Sequence, residues 1–378
     1  MRTLLLSLLC ALAVLACGPD TATEPDSPGN ETMRSELGGP ADAGFARAEE
    51  VREFDFPADH GPHPAFRNEW WYLVGNLEDE QGRRHGFQVT FFRIGLAPGE
   101  ETRASAWASN QMWMAHLALT DVEAETHYQS ERFARDGDIG LAGAEADGRR
   151  IWLEDWALER TSEGDWHLTA TTEDFALNLS FDPERVPMLH GEQGLSQKSA
   201  EPGNASYYYS KPRLATHGEI RISDDTRPVS GRSWLDREWS TSVLGDEQEG
   251  WDWFALQLDD GTDVMIYEMR RFDGERSPYA YAAVMPPDGE VRRLGPDEFE
   301  IDVLDHWTSP RGDTYPARWR LRIAGLDGPL EVVPVLADQE FTGTVRYWEG
   351  AADVLRDGAS AGRGYVELAG YAGSGMPD

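Results

Sequence analysis

The sequence predicts an all-β protein, on three observations. Apolar residues alternate with polar ones in Phe175, Leu177, Leu179 and Phe181, in Phe299, Ile301 and Val303, and in Trp319, Leu321 and Ile323. A period of two puts every other side chain on one face of a strand. Turn dipeptides punctuate such runs, at Asp147-Gly148, Glu163-Gly164, Asp260-Gly261 and Asp288-Gly289. No stretch keeps a helical period over several turns.

The chain opens MRTLLLSLLCALAVLACGPD, with Arg2 before an apolar run too short to span a bilayer. Residues 1–17 therefore read as a secretory signal. The ending Val14-Leu15-Ala16-Cys17 resembles a bacterial lipoprotein box, which implies lipidation of Cys17; the alternative is an ordinary cleaved signal near Ala16. Residues 18–53 are rich in Gly, Pro, Asp, Glu, Ser and Thr and predict a flexible acidic tether. The folded body is expected from residue 54. Its clearest hairpin is WDWFALQLDDGTDVMIYEMRR, turning at Asp259-Asp260-Gly261-Thr262. Many evenly spaced strands suggest barrels or sandwiches, and a chain of 378 residues has room for two. The polar segment 189–206 lacks alternation and reads as a long loop. The expected division is 54–216 for a first domain and 217–378 for a second.

The net charge is −34, which argues against nucleic acid as a partner, because phosphate binding needs a basic surface. Cys10 and Cys17 are the only cysteines and both lie in the leader. The mature body thus has neither a disulfide, a cysteine nucleophile nor a thiolate metal site. His60 and His63 are spaced H-x-x-H in a Pro-rich segment, too irregular for a metal site. Serine-hydrolase, phosphate-loop, dinucleotide and calcium motifs are missing, so neither a metal nor a cofactor is expected.

SWLDREWSTS, residues 233–242, carries the most chemistry. On a strand, Trp234, Asp236 and Glu238 share one face, and carboxylates are seldom buried unless satisfied. One reading leaves both acids on a solvated face while Arg237 pairs across strands. The other buries Asp236 among rings, where its charged form is disfavoured and it becomes a proton donor near neutral pH. Trp251 and Trp253 share a strand face, as do Tyr207 and Tyr209; with Trp348 and His116 they suit an apolar cavity in a barrel mouth. Glu69, on Trp71's face, is expected to pair inside a barrel with an arginine such as Arg93 or Arg270.

Several stretches together resemble the AttH-type and carotenoid 1,2-hydratase family: FRNEWWYLVGNL (66–77), GFQVTFFR (86–93), MAHLALTD (114–121), YYYSKPRL (207–214), WLDREWSTS (234–242), GWDWFALQLDDGTDVMIYEMR (250–270), YWEG (347–350) and GRGYVELAGY (362–371). The resemblance covers the body from about residue 54 to the C-terminus. It implies two lipocalin-like antiparallel β-barrels side by side, and cofactor-independent addition of water to a C=C bond of an isoprenoid- or acyl-type ligand. Asp236 would be the acid, two residues after an aromatic as in the family's hydratases. Trp234 would stabilise a carbocation and Glu238 would position water or orient Asp236. The hydratases also carry a histidine two residues before an aromatic, where this chain has Tyr207 and Tyr209. The resemblance equally admits a non-enzymatic carrier or accessory protein of an ABC exporter. Either way the expected location is the cell envelope, lipid-anchored and facing the periplasm.

Overall fold

The computed structural model describes residues 44–99, 103–105, 108–136, 139–242, 244–245 and 247–372. Cys10, Cys17 and the leader lie outside them. The body is all-β, as its alternation predicts, and consists of two curled, near-barrel antiparallel sheets.

The first sheet begins with four long strands, β1 (Asn68–Asp79), β2 (Arg84–Gly95), β3 (Gln111–Asp121) and β4 (Thr126–Arg135). Five shorter ones follow: β5 (Ala142–Ala144), β6 (Arg150–Leu153), β7 (Trp156–Arg160), β8 (Trp166–Thr171) and β9 (Phe175–Pro183). The two-residue β10 (Met188–Leu189) and β11 (Leu195–Gln197) precede β12 (Ala205–Ile222) and β13 (Asp225–Ser240). The spatial order is β4-β3-β2-β1-β13-β12-β9-β8-β7-β6-β5, with β10 and β11 laid on β12. Inward residues from both arms of this sheet, Phe87 and Leu117 from one and Ile151 and Leu168 from the other, join one buried cluster. The sheet thus curls over its own core.

The second sheet holds β14 (Gln248–Leu258), β15 (Asp263–Arg271), β16 (Tyr281–Met285), β17 (Arg292–Leu294) and β18 (Phe299–Thr308). It continues with β19 (Thr314–Ile323), β20 (Leu330–Pro334), β21 (Glu340–Thr342), β22 (Arg346–Arg356) and β23 (Ala359–Ala369). Its order is β17-β16-β15-β14-β23-β22-β20-β19-β18. Phe254, Leu256, Trp319, Trp348 and Val366 fill its interior.

Two expectations are corrected. The boundary at 216/217 falls inside β12, which pairs with β13 from Ser206↔Ser240 to Ile222↔Asp225. That hairpin belongs to the first sheet, so the division lies between Ser240 and Gln248. Segment 189–206 marked a change of composition, but it is a loop folded back on β12 rather than a linker. The tether also ends earlier than residue 53. Ala48 is fully buried, the Tyr207 hydroxyl donates to the Glu50 carbonyl at 2.8 Å, and Arg52 pairs with Asp59 at 2.8 Å. An aromatic face formed by Tyr207, Tyr209 and Trp239 anchors the segment despite its polar composition.

The two sheets meet through their outward-facing residues. Tyr72, Val74 and Trp234 of the first pack on Trp253, Ala255, Met265 and Tyr365 of the second. Arg213, 6% exposed, donates to the fully buried Asp263 at 2.7 Å, and Asn76 donates to the Gly364 carbonyl at 3.0 Å. Gly86 permits the close approach: a Cβ there would stand 2.6 Å from Ala351 Cβ.

Candidate functional site

Alternation explains why the site lies between the barrels rather than in either mouth. On β13, Leu235, Arg237 and Trp239 face the first interior, so Trp234, Asp236 and Glu238 must face the second sheet. On β14, Phe254 and Leu256 face the second interior, so Trp251 and Trp253 point back toward the first. The space between is an open-mouthed cavity. Trp70, Tyr72, Phe92, Trp251, Trp253 and Tyr267 supply aromatic walls, and Asp236, Glu238, Glu349 and Glu367 supply carboxyls.

Asp236 is 3% exposed. The Trp234 indole N–H donates to its Oδ1 at 2.6 Å, the Ser210 hydroxyl donates to the same oxygen, and the Tyr208 hydroxyl donates to Oδ2. Burial pushes the carboxyl up to about 7, against the three donors, which favour its charged form, and with help from Glu238. The cradle has further support. The Trp253 indole donates to the Tyr208 oxygen at 3.0 Å, and His190 Nε2 lies 2.6 Å from Ser210 Oγ. His190 is fully buried, and burial holds its imidazole well below the usual range, so it is neutral. Glu238 forms a buried pair with Lys198 at 2.8 Å, whose ammonium sits 4.0 Å from the Tyr267 ring centroid.

Of the sequence-predicted residues, the structure brings Asp236, Glu238, Trp251, Trp253 and His116 to this cavity. Trp234 stands behind Asp236 as a hydrogen-bond donor, edge-on to Trp253 at 6.2 Å, which corrects its expected place over a cation. His116 is held between the Tyr347 hydroxyl at 2.8 Å and Glu131 at 3.0 Å, and burial lowers its pKa.

Tyr207, Tyr209 and Trp348 are corrections. Tyr207 and Tyr209 occupy the opposite face of β12 and pack with Trp239; the Tyr209 hydroxyl lies 2.5 Å from His60 Nδ1. Their neighbours Tyr208 and Ser210 face the cavity side instead, because β12 alternates in register with β13: Tyr208↔Glu238 and Ser210↔Asp236. Trp348 is in the second core, its indole donating to the Ala337 carbonyl at 2.8 Å. The next residue of that motif, Glu349, lines the cavity.

Glu69 pairs as expected with Arg93, and also with Arg237 at 2.7 Å. Burial would raise its pKa, but the two guanidiniums outweigh it and hold the carboxyl well below the usual range. Arg237 also stacks on Trp71, 3.7 Å from its centroid. Arg270 is not part of this knot. It belongs to the second sheet, pairing with Asp252 at 3.1 Å and lying over Tyr371. Each half of the earlier alternative thus holds in part: Arg237 pairs across strands, yet the acids beside it are buried.

Sequence reasoning missed Tyr208, Ser210, His190, Lys198, Tyr72, Glu349 and Glu367. Alternation from Asp236 through a paired strand could have indicated Tyr208 and Ser210. No local pattern marks His190 and Lys198, which reach the site from a loop.

A buried acid in an aromatic cleft between two near-barrel antiparallel sheets defines the class: a two-barrel all-β protein. The AttH-like family model matches residues 47–371, and the chain belongs to that family. It is similar to an AttH protein from Nitrosomonas europaea, with 36% identity, TM-score 0.79, and 86% of this chain and 100% of that one covered. It shares its fold with kievitone hydratase from Nectria haematococca, at 14% identity, TM-score 0.63 and coverage of 87% and 98%. CghA with Sch210972 is similar at 14% identity, TM-score 0.51 and coverage of 87% and 97%. A comparison with curated proteins found no match.

Proposed function

We propose that the protein binds an apolar isoprenoid- or acyl-type molecule between its barrels and adds water to a C=C bond of that ligand, with Asp236 as the acid. The observation that carries this reading is the Asp236 carboxyl, buried in an aromatic cleft and raised to about 7, so that near neutral pH much of it holds a proton. The π bond of the C=C takes the Asp236 proton: the O–H bond and the π bond break as a C–H bond forms, leaving a tertiary cation and the Asp236 carboxylate. The rings of Trp251 and Trp253, which line the cavity, stabilise that cation. Water forms the C–O bond and its surplus proton returns to the Asp236 carboxylate. The Ser210 hydroxyl, between Asp236 and His190, can donate to either one and so serves both protonation states.

The test is turnover of an acyclic isoprenoid by wild type and by Asp236→Asn, each followed by mass gain of one water. Loss of the acid should cost about 10²–10⁴-fold, and a folded, fully active variant would end the acid assignment. A wild type that binds such ligands without converting them would leave a carrier, such as an accessory protein of an exporter. The proposed location is the cell envelope, with Cys17 as lipid anchor, on the strength of the leader ending Val14-Leu15-Ala16-Cys17.

A further inference from the structure

Two glutamates in the cavity have no role in that reading. Glu349 on β22 and Glu367 on β23 are direct cross-strand partners and face the cavity together. Among the described residues neither has an arginine or lysine beside it, unlike Glu69 and Glu238. The Glu349 Oε1 atom is buried and has no hydrogen-bond partner. The Tyr72 hydroxyl, from the opposite sheet, is also buried without a bond of full hydrogen-bond geometry, although it and the Tyr347 hydroxyl stand close enough to Glu349 to favour its charged form. Tyr72 is 5% exposed and Glu349 3%, and both line the cavity. An unmet acceptor and an unmet hydroxyl therefore face the same space from two different strands.

A pure hydrocarbon would seal both groups away from water without replacing a bond, and leaving buried polar groups unpaired is expensive. We propose that the ligand is an oxygenated amphiphile whose hydroxyl or phenol docks on Glu349, Glu367 and Tyr72, while its apolar C=C arm lies along Trp251 and Trp253 toward Asp236. The arm has little distance to cover. Tyr72 is the cross-strand partner of Asp236, and Trp253 that of Glu367, so the polar subsite and the acid are neighbours.

The protonation of the pair selects a neutral ligand. Burial, reinforced for Glu349 by Glu367, raises Glu349 well above its usual range, and burial raises Glu367 to about 8 despite the Trp251 indole. Two facing carboxyls cannot both ionise in a dry site. At neutral pH they can donate as well as accept, which matches the two-way bonding of a hydroxyl and offers little to an ammonium group.

This inference deepens the proposed function and shares its cavity, so its test reads binding instead of turnover. Titrate wild type with para-prenylphenol, prenylbenzene and prenylamine, following tryptophan fluorescence. Wild type should hold the phenol at least about tenfold tighter than the hydrocarbon, the discrimination a site gains by pairing its buried polar groups. Glu349→Leu should bring the two affinities together by weakening the phenol while sparing the hydrocarbon. Should that variant not fold, Tyr72→Phe removes only the hydroxyl and should narrow the ratio. Asp236→Asn should keep the phenol preference, which separates the fate of this subsite from that of the acid. Equal binding of phenol and hydrocarbon, tighter binding of the amine, binding of none of the probes, or an unchanged ratio in a folded Glu349→Leu or Tyr72→Phe would each overturn the assignment.

Discussion

Replacing Asp236 by Asn should make the protein less active and, above neutral pH, more stable. The carboxyl moves from its ordinary 3.8 to about 7 on folding, which is worth about 4 kcal/mol at roughly 1.4 kcal/mol per pH unit. The sign follows from proton counting. Between those two values the folded state holds a proton that the unfolded state has released, so this group's contribution is fully present below pH 4. It is lost progressively as pH rises, and levels off above 7. Asn does not titrate and escapes that loss. It has its own fixed cost, because its NH₂ meets one of the three donors that Trp234, Ser210 and Tyr208 aim at the carboxyl; a misplaced buried group costs about 1–3 kcal/mol. The assay is urea unfolding of both proteins from pH 4 to pH 8. The stability of the variant minus that of wild type should be negative at pH 4 and climb by about 4 kcal/mol by pH 8. Other titrating groups are common to both proteins and largely cancel in the difference. A difference that stays flat across this range would refute the reasoning, because Asp236 would then ionise as freely in the fold as in the open chain.

Tyr208→Phe removes a donor to the Asp236 carboxylate, so the alkaline limb of the pH–activity profile should move up by about 1–2 pH units, reflecting loss of a bond worth about 1.5–3 kcal/mol; an unmoved limb would exclude Tyr208 from setting that ionisation. Arg237→Met leaves Glu69 with Arg93 alone in a buried site and should cost about 3–5 kcal/mol in urea unfolding. Gly86→Ala drives a methyl into Ala351 and should cost about 1–3 kcal/mol, with weakened ligand binding because the two sheets are wedged apart. Cys17→Ser should release the protein from membranes into the soluble fraction, as read by fractionation and immunoblot; unchanged membrane association would remove the lipid anchor from the proposal.

The fold was legible because alternation is a local property: Phe175 to Phe181, or Trp319 to Ile323, state their faces within seven residues. Asp236 and Glu238 were legible for the same reason, together with Trp251 and Trp253. What alternation cannot say is which of two faces is the interior. The aromatic pattern therefore points to Tyr207 and Tyr209 for the cavity rather than Tyr208, although parity against Asp236 separates them. Trp348 and Glu349 repeat the case one residue apart: the large aromatic fills the second core, and the adjacent acid lines the cavity. The domain boundary failed for another reason. Segment 189–206 has the composition of a linker, yet the β12–β13 pairing that returns the chain to the first sheet is long-range and leaves no local mark. Such pairing also hides His190, whose place beside Ser210 depends on a loop laid across a strand.

Because the cavity belongs to the outsides of two curled sheets, its parts are distributed along the chain in an unusual way. A cut between Ser240 and Gln248 would separate the acid and its cradle from the paired glutamates, while leaving each half its own filled interior. Neither fragment would own a binding site; one would emerge only on reassociation, and ligand binding would then scale with the product of the two concentrations. The same geometry partitions the sequence for engineering. Inward positions such as Leu235 and Phe254 govern whether each half holds together, whereas their immediate neighbours Asp236 and Trp253 line the cavity between the sheets. The lining of the cavity can thus be rewritten on every second residue of a few strands with both interiors left as they are.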